Sequence, residues 1–537
     1  MSISGDRKVY LKQNVQFEPL FNDWYAWFHL IPPVTAALNV LERYLPIMTS
    51  YVNSPALHAA AVKNPAMRGG PFIDLGGRRV DEVRTLAHAT RERSGHLVEF
   101  AVGLKQLGAV LSEKARGLAM DSLYEAVPDV LKGYVELFYD LNHSPSFRVL
   151  ESLLYRSEFY DESLQSISLA MRDDRRPFIL STPRLADEKC ARLAVPFSSP
   201  ALDDLFRMKS EPAPYRSIAD RLGVEENAEP LFRTFFTERA PRPRARFEGE
   251  GFRIRYFGHA CLCFESRDVT ILLDPLVSYA SDSELARYTY EDLPERIDYV
   301  CITHSHHDHI ALEALLQLRH KTGTVVVPRN CDGFPHDPSL QLALQRLGFR
   351  HVVEARDLQE FPFPGGAVVA LPFLGEHNDL SMQSKTSYLV RFGAESALCI
   401  ADSCNLDPRL YDHIFKITGE PQRLFLGMEC EGAPPSWVYG PLFPKPLSHE
   451  IDDSRRARGC NFDEAARLVG RGNFEEVYVY AMGQEPWLNH ILDNAFTETS
   501  LSLLESRRML EWCSARGIHT ESLFAQKEIV CGGGEKR

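Results

Sequence analysis

The sequence predicts an α/β protein: a carboxy-terminal sandwich of two β-sheets flanked by helices, preceded by an α+β domain. Three observations predict this. From about residue 251 onward, short β-branched strands alternate with helical segments, and polar residues fall at the strand ends. Residues 1–238 instead open on an aromatic segment and then long helical periodicities, with no cluster of metal-ligand spacing. Between them Thr237–Glu250, TERAPRPRARFEGE, combines prolines and arginines without apolar periodicity, which places a linker at 239–250.

In order, the aromatic segment Phe17–Pro33 carries Trp24, Tyr25, Trp27 and Phe28 and reads as core or an intrachain interface. A helical pattern runs from Val80 to Lys114 with a break at Gly95. A second helix is expected after Pro128, because Leu131, Tyr134, Val135, Phe138 and Leu141 keep helical spacing. QSISLAMR and PFILST read as short strands. After the linker, FRIRYFGHACLCFES reads as one strand bent at Gly258, and VTILLDP as a strand ending on Asp274. There follow DYVCI, a helix over Leu312–Lys321, a strand over Gly323–Val327, and then AVVALPF, SYLVRF, ALCIAD, RLFLGM and VYVYAM.

Composition narrows the function classes. With 60 Lys and Arg against 73 Asp and Glu, the formal charge of -13 argues against a broad nucleic-acid footprint. Two basic groups, Arg242, Arg244, Arg246 and Arg455, Arg456, Arg458, are solvated faces or a docking patch for an acidic partner. The 11 cysteines form no C-x-x-C pair, the amino terminus lacks a signal-peptide pattern, and no apolar run approaches the ~18 residues of a membrane span. A cytoplasmic protein is expected, with neither nucleic acid nor membrane as partner.

The chemistry concentrates in Thr303–Ile310, THSHHDHI, delivered by the apolar strand before it. Imidazole and carboxylate are ligands of first-row cations, and His304, His306, Asp308 and His309 suit two neighbouring ions. One loop cannot close two sites, so further ligands are sought at other strand ends. Asp402 is the strongest candidate, as a carboxylate able to bridge two cations. Glu376 and His377 follow AVVALPF on a glycine-containing loop, and His490 is the last candidate. Asp274 is expected to orient a ligand imidazole, with His259 and Glu429 as weaker supports.

This arrangement, with GHA at 258–260, LLDP at 272–275, HSHHDH at 304–309, a loop ligand near 376 and IAD at 400–402, resembles the metallo-β-lactamase fold superfamily. A closer resemblance covers the whole chain. YLKQNVQFEPL, WYAWFHLIPP, the GEHNDL loop and the late LNH are similar to the CmlA-type β-hydroxylases of nonribosomal peptide synthesis. The resemblance implies a dinuclear non-haem iron site. One iron would take His304, His306 and Glu376, and the other Asp308, His309 and His490, with Asp402 bridging and His377 beside the ligands. Glu376, Asp402 and Glu429 are expected as the catalytic carboxylates. It further implies O2 and an external electron donor or reductase as co-reactants, an aminoacyl-loaded carrier domain of a nonribosomal peptide synthetase as partner, and a homodimer. The amino-terminal domain would then serve dimerisation and shape the carrier entrance.

The acyl side chain is expected to be aromatic, with Trp437, Tyr439 and Trp487 as candidate pocket walls. The alternative reading is a dinuclear zinc or manganese hydrolase of the same superfamily. A carrier-binding scaffold with a vestigial site fits less well, because the ligand set is complete.

Overall fold

Two sheets, each of seven strands, form the carboxy-terminal half of the computed structural model, which describes residues 7–243 and 246–532. The first sheet runs in spatial order Val352–Ala355, Thr322–Pro328, Ile297–Cys301, Thr270–Leu273, Leu262–Glu265, Phe252–Tyr256, Lys527–Cys531. The second runs Glu360–Phe363, Gly366–Leu371, Ser387–Phe392, Glu395–Cys399, Arg423–Gly427, Glu476–Tyr480, His519–Ser522.

Alternation along the strands assigns each face. Ile254, Phe264, Ile271 and Cys301 of one sheet meet Val368, Tyr388, Val390 and Phe425 of the other in a buried layer between them. The outer face of the second sheet is covered by Arg409–Thr418, Phe462–Val469 and Leu501–Ser514. The outer face of the first is covered by Leu312–Leu318 and Leu340–Arg346. This is the expected helix–sheet–sheet–helix sandwich.

The amino-terminal half packs onto the first of these helical layers. One apolar core joins Phe17, Trp24, Trp27 and Leu205 to Leu272, Val300, Leu312 and Leu315. Phe17, Tyr25 and Trp27 therefore belong to an intrachain interface. Polar contacts cross with them: the Tyr25 hydroxyl donates to Glu313 (2.9 Å), and the Phe17 amide donates to the Tyr279 hydroxyl (3.1 Å). The stretch 239–250 contains no helix or strand among its described residues, yet the halves it connects share one core.

Several local expectations are corrected. Val80–Arg93 and Gly95–Lys114 are two helices meeting at Ser94, where the break was expected. After Pro128 the expected long helix is only a single 3-10 turn, Asp129–Leu131, and Val135–Tyr139 is a strand paired with Pro145–Val149. Val135 and Leu137 turn inward with Glu136 outward, a period of two that the coincident helical spacing concealed, and Leu141 is fully exposed. PFILST is a buried turn, whereas Gln165–Ala170 is the expected strand. FRIRYFGHACLCFES is a hairpin pairing Tyr256 with Leu262. Gly258 sits in its turn at φ 105°, where a Cβ would also press on Trp487 at 2.9 Å.

The basic groups are largely used internally. Arg242 pairs with Glu291 (3.1 Å) and Arg246 donates to the Arg267 carbonyl (2.6 Å), while Arg244 lies outside the described residues. All eleven cysteines are free. No described helix is long and apolar enough to cross a membrane.

Candidate metal centre

Several strands of the sandwich that run parallel to a neighbour deliver a polar residue at the same edge. Asp274 follows Thr270–Leu273, the loop His304–His309 follows Ile297–Cys301, and Asp402 follows Glu395–Cys399. Glu376 lies beyond Gly366–Leu371, Glu429 beyond Arg423–Gly427, and His259 in the first hairpin turn. Sites on such sheets form where strand ends converge.

The convergence is tight. Ligand atoms of His304, His306 and Glu376 lie within 4.8 Å of one another, as do those of His304, His309 and Asp402 and those of His259, Asp308 and His309. His306 Nδ1 stands 2.7 Å from Glu376 Oε1. Asp402 Oδ2 lies between two rings, 3.2 Å from His309 Nε2 and 3.9 Å from His304 Nε2. Asp308 Oδ2 is 3.6 Å from His309 Nε2 and 3.0 Å from His259 Nε2. Donors spaced in this way fit ions held about 2.0–2.2 Å from each ligand atom. His304 Nε2, His309 Nε2 and Asp402 Oδ1 are buried without a hydrogen-bond partner, a costly arrangement unless a cation completes it. The residues present therefore fit a dinuclear metal.

Surrounding contacts aim these atoms. Asp274 accepts from the Thr303 amide (2.7 Å) and hydroxyl (2.6 Å) and lies 2.8 Å from His309 Nδ1, which turns His309 Nε2 inward. His306 has Nδ1 toward Glu376, so its Nε2 meets the Tyr439 hydroxyl at 3.0 Å. Sequence reasoning saw Tyr439 only as a pocket wall; it is fully buried and braces a ligand imidazole from 133 residues away. No local signal marks it, nor Thr303, whose role appears only once Asp274 is beside it.

The charge balance has named causes. Burial lowers the pKa of His304, and neighbouring His309 and His306 lower it further, so its imidazole stays neutral with a lone pair to give. Burial alone would raise Glu376, yet adjacent His306 and His377 hold it below the usual carboxylate range. Burial would likewise lower His309, but Asp402, Asp308 and Asp274 raise it well above the ordinary value. Three carboxylates that favour a charged imidazole equally favour a metal cation there.

The GEHNDL loop is strained. Glu376, His377, Asn378 and Asp379 all have positive φ, at 54°, 55°, 57° and 54°. Left-handed backbone costs an ordinary residue about 1 kcal/mol. The surroundings hold it: Lys385 Nζ donates to the Gly375 carbonyl (2.9 Å), Asn378 Nδ2 to the Arg455 carbonyl (2.6 Å), and Arg455 Nε back to the Asn378 carbonyl (2.9 Å). Arg455 is thus a brace for the loop. Arg456 binds Asp453 (2.8 Å) and Arg458 binds Glu464 (2.8 Å), so this basic group is committed internally.

His377 stacks on His306 with centroids 4.5 Å apart but is outside the converging sets, so the loop offers its glutamate. His490 departs from expectation. It sits on the short helix Asn489–Leu492, which turns the ring away toward Glu313 (4.0 Å) and Tyr25, and it joins none of the converging groups. His259, expected as a support, stands against Asp308 where His490 was expected.

A cavity of about 430 Å³ opens onto His306, Asp308, Glu376 and Asp402. Trp437, Met482 and Phe496 form apolar walls and Glu429 a polar one, while Trp487 lines a separate small cavity of about 20 Å³. The amino-terminal half reaches this mouth through Pro65, Ala66 and Arg68. Next to them Gly69 donates to Asp493 Oδ2 (2.7 Å) and lies so close to Trp437 that a Cβ would fall 1.7 Å from its ring.

Comparison with known proteins agrees with this geometry. Residues 10–241 match the model of the diiron non-heme beta-hydroxylase N-terminal domain, and 253–364 match a beta-lactamase superfamily domain. A 4-amino-L-phenylalanyl-[CmlP-peptidyl-carrier-protein] 3-hydroxylase of Streptomyces venezuelae is 37% identical over 97% of this chain and 99% of its own. The crystal structure of CmlA, a diiron beta-hydroxylase from Streptomyces venezuelae, superimposes with a TM-score of 0.91 at 37% identity, covering 97% of this chain and 99% of that one. A variant of that enzyme superimposes with a TM-score of 0.89.

Proposed function

The chain belongs to the CmlA-type diiron non-haem β-hydroxylase family, and from that premise we propose that it hydroxylates the β-carbon of an aminoacyl group carried as a thioester on a peptidyl carrier protein. It is an oxygenase whose cofactor is a pair of iron ions and whose co-substrate is O2. The observation that carries the reading is the approach of Glu376 to His304 and His306, which makes the site harder and more anionic than an all-histidine set. Family membership sets the hydrolase alternative aside.

In this reading His304, His306 and Glu376 would hold one iron and Asp308 and His309 the other, with Asp402 lying between the two sets. The bound irons, with O2 and two electrons from an external donor, supply the oxidising power that acid–base chemistry lacks for an unactivated C–H bond. Asp274 and Tyr439 keep the outer nitrogens of His309 and His306 occupied, so the inner lone pairs stay directed at the metals. Trp437, Met482 and Phe496 exclude water and favour an aromatic acyl side chain. Pro65, Ala66 and Arg68 shape the entrance for the carrier-bound arm. The relative's substrate name supports a phenylalanine-like acyl group on a synthetase carrier domain. The free cysteines support a reducing cytoplasm. An external reductase and a homodimeric assembly complete the reading, by family likeness.

The test is mass spectrometry of carrier domains loaded with phenylalanyl, 4-aminophenylalanyl or tyrosyl groups, after incubation with iron-loaded enzyme, reductant and O2. One carrier-bound acyl group should gain a single oxygen atom, labelled when 18O2 is supplied. Thioester hydrolysis without oxygen incorporation would overturn the reading.

A further inference from the structure

We infer that Glu429 seats the α-ammonium group of the substrate, so that the enzyme selects aminoacyl over desamino acyl groups; this deepens the β-hydroxylase reading above and rests on it. Glu429 follows the strand Arg423–Gly427, next in the sheet to the strand that ends before Asp402. It is half-buried, and it lines the cavity that Glu376 and Asp402 also line. It belongs to none of the converging metal-ligand groups.

What holds Glu429 is neutral. Its Oε2 accepts from the Gly432 amide at 2.8 Å, and its Oε1 from the Ser502 hydroxyl at 3.0 Å and the Glu431 amide at 3.3 Å. These donors fix the carboxylate from behind without neutralising its charge. A carboxylate has about four acceptor positions, which leaves one for a ligand. A fixed, accessible anion with only neutral partners is costly until a cation joins it. Burial pushes its carboxyl pKa up, with the charge of nearby Asp402 adding to the push, and an approaching ammonium would relieve both.

The substrate brings that cation to the right place. In an aminoacyl thioester the ammonium is one carbon away from the β-carbon that must lie over Asp402 and Glu376. The other acidic residues of the cavity wall are less suited. Glu431 is exposed at the rim, and Asp493 is committed to the Gly69 amide and Arg68.

The experiment compares carriers loaded with an aromatic aminoacyl group and with its 3-arylpropionyl counterpart, which lacks the amine. Wild-type, iron-loaded enzyme should prefer the aminoacyl carrier by on the order of 10- to 100-fold in kcat/KM, the worth of a charge-assisted contact. Glu429→Gln should collapse that ratio toward unity through the aminoacyl carrier, with iron content unchanged. Glu429→Asp, which restores the charge, should recover part of it, and Glu431→Gln should leave it intact. The inference is overturned if Glu429→Gln slows both carriers equally and keeps the ratio, or if Glu431→Gln is the variant that abolishes it. If the wild type hydroxylates neither carrier, the β-hydroxylase reading falls and the inference falls with it. If it hydroxylates the aminoacyl carrier with a ratio indifferent to Glu429, only the inference falls.

Discussion

Two buried charged clusters lie close together in this chain, and they differ in how their charges are partnered. In the first, Arg184 pairs with Glu18 (2.9 Å), Arg176 bridges Glu18 (3.3 Å) and Glu313 (2.8 Å), and the Tyr25 hydroxyl donates to Glu313 (2.9 Å). Every carboxylate there meets a guanidinium, and the cluster joins the amino-terminal half to the sandwich. In the second, around His304 and Asp402, ligand atoms converge within 4.8 Å of one another, and His304 Nε2, His309 Nε2 and Asp402 Oδ1 have no hydrogen-bond partner. The first is a structural clasp and the second a set of residues that fits a metal. Burial and charge are common to both, and Arg176 Nε too lacks a partner, so the diagnostic feature is the convergence of several metal-ligand atoms on one place.

The sharpest way to break the comparison is to open the clasp. Glu313→Ala leaves Arg176 buried beside Glu18 alone and should cost about 3–5 kcal/mol of stability, read by thermal or denaturant unfolding. Folded variant protein should still bind iron. A variant of normal stability that had lost its iron would merge the two clusters into one functional unit.

Next in size is the site itself. Glu376→Ala should lower hydroxylation by at least about a hundredfold together with loss of iron, whereas His377→Ala should do markedly less. The reverse order would make His377 the loop ligand. Tyr439→Phe removes the hydroxyl behind His306 and should weaken iron binding about tenfold with little change in unfolding temperature, as judged by chelator competition.

The smallest expected effect on activity concerns a third buried carboxyl, outside the metal-ligand groups. Glu151 accepts from the Ser339 amide (2.9 Å) and Asn330 (3.2 Å), and burial raises its pKa to about 7. The folded chain then keeps a proton that the unfolded chain releases near the ordinary value of 4.5, so stability from this group falls as pH rises from 4.5 toward 7. Glu151→Gln should gain on the wild type by about 2.5 kcal/mol between pH 5 and pH 8. A pH-independent difference would mean that Glu151 is ionised throughout.

The contrast also explains what was legible beforehand. THSHHDHI and Asp402 could be read because ligand chemistry and a strand end coincide within a few residues. His490 also follows a strand, but the short helix Asn489–Leu492 sets the direction of its ring, and that turn is decided by packing against the amino-terminal half. His490 therefore landed beside the clasp. Tyr439 and Thr303 act through partners that only the fold brings near. The strand Val135–Tyr139 was misread because five apolar residues satisfied helical spacing while its hairpin partner, Pro145–Val149, carried the deciding information.

The central claim is that the converging cluster holds two irons. Metal analysis of chain produced in iron-replete cells tests it most directly, with His490→Ala alongside the wild type. Two irons per chain in both proteins is the predicted result. Zinc in place of iron in the wild type, or loss of one iron on removing His490, would contradict the account.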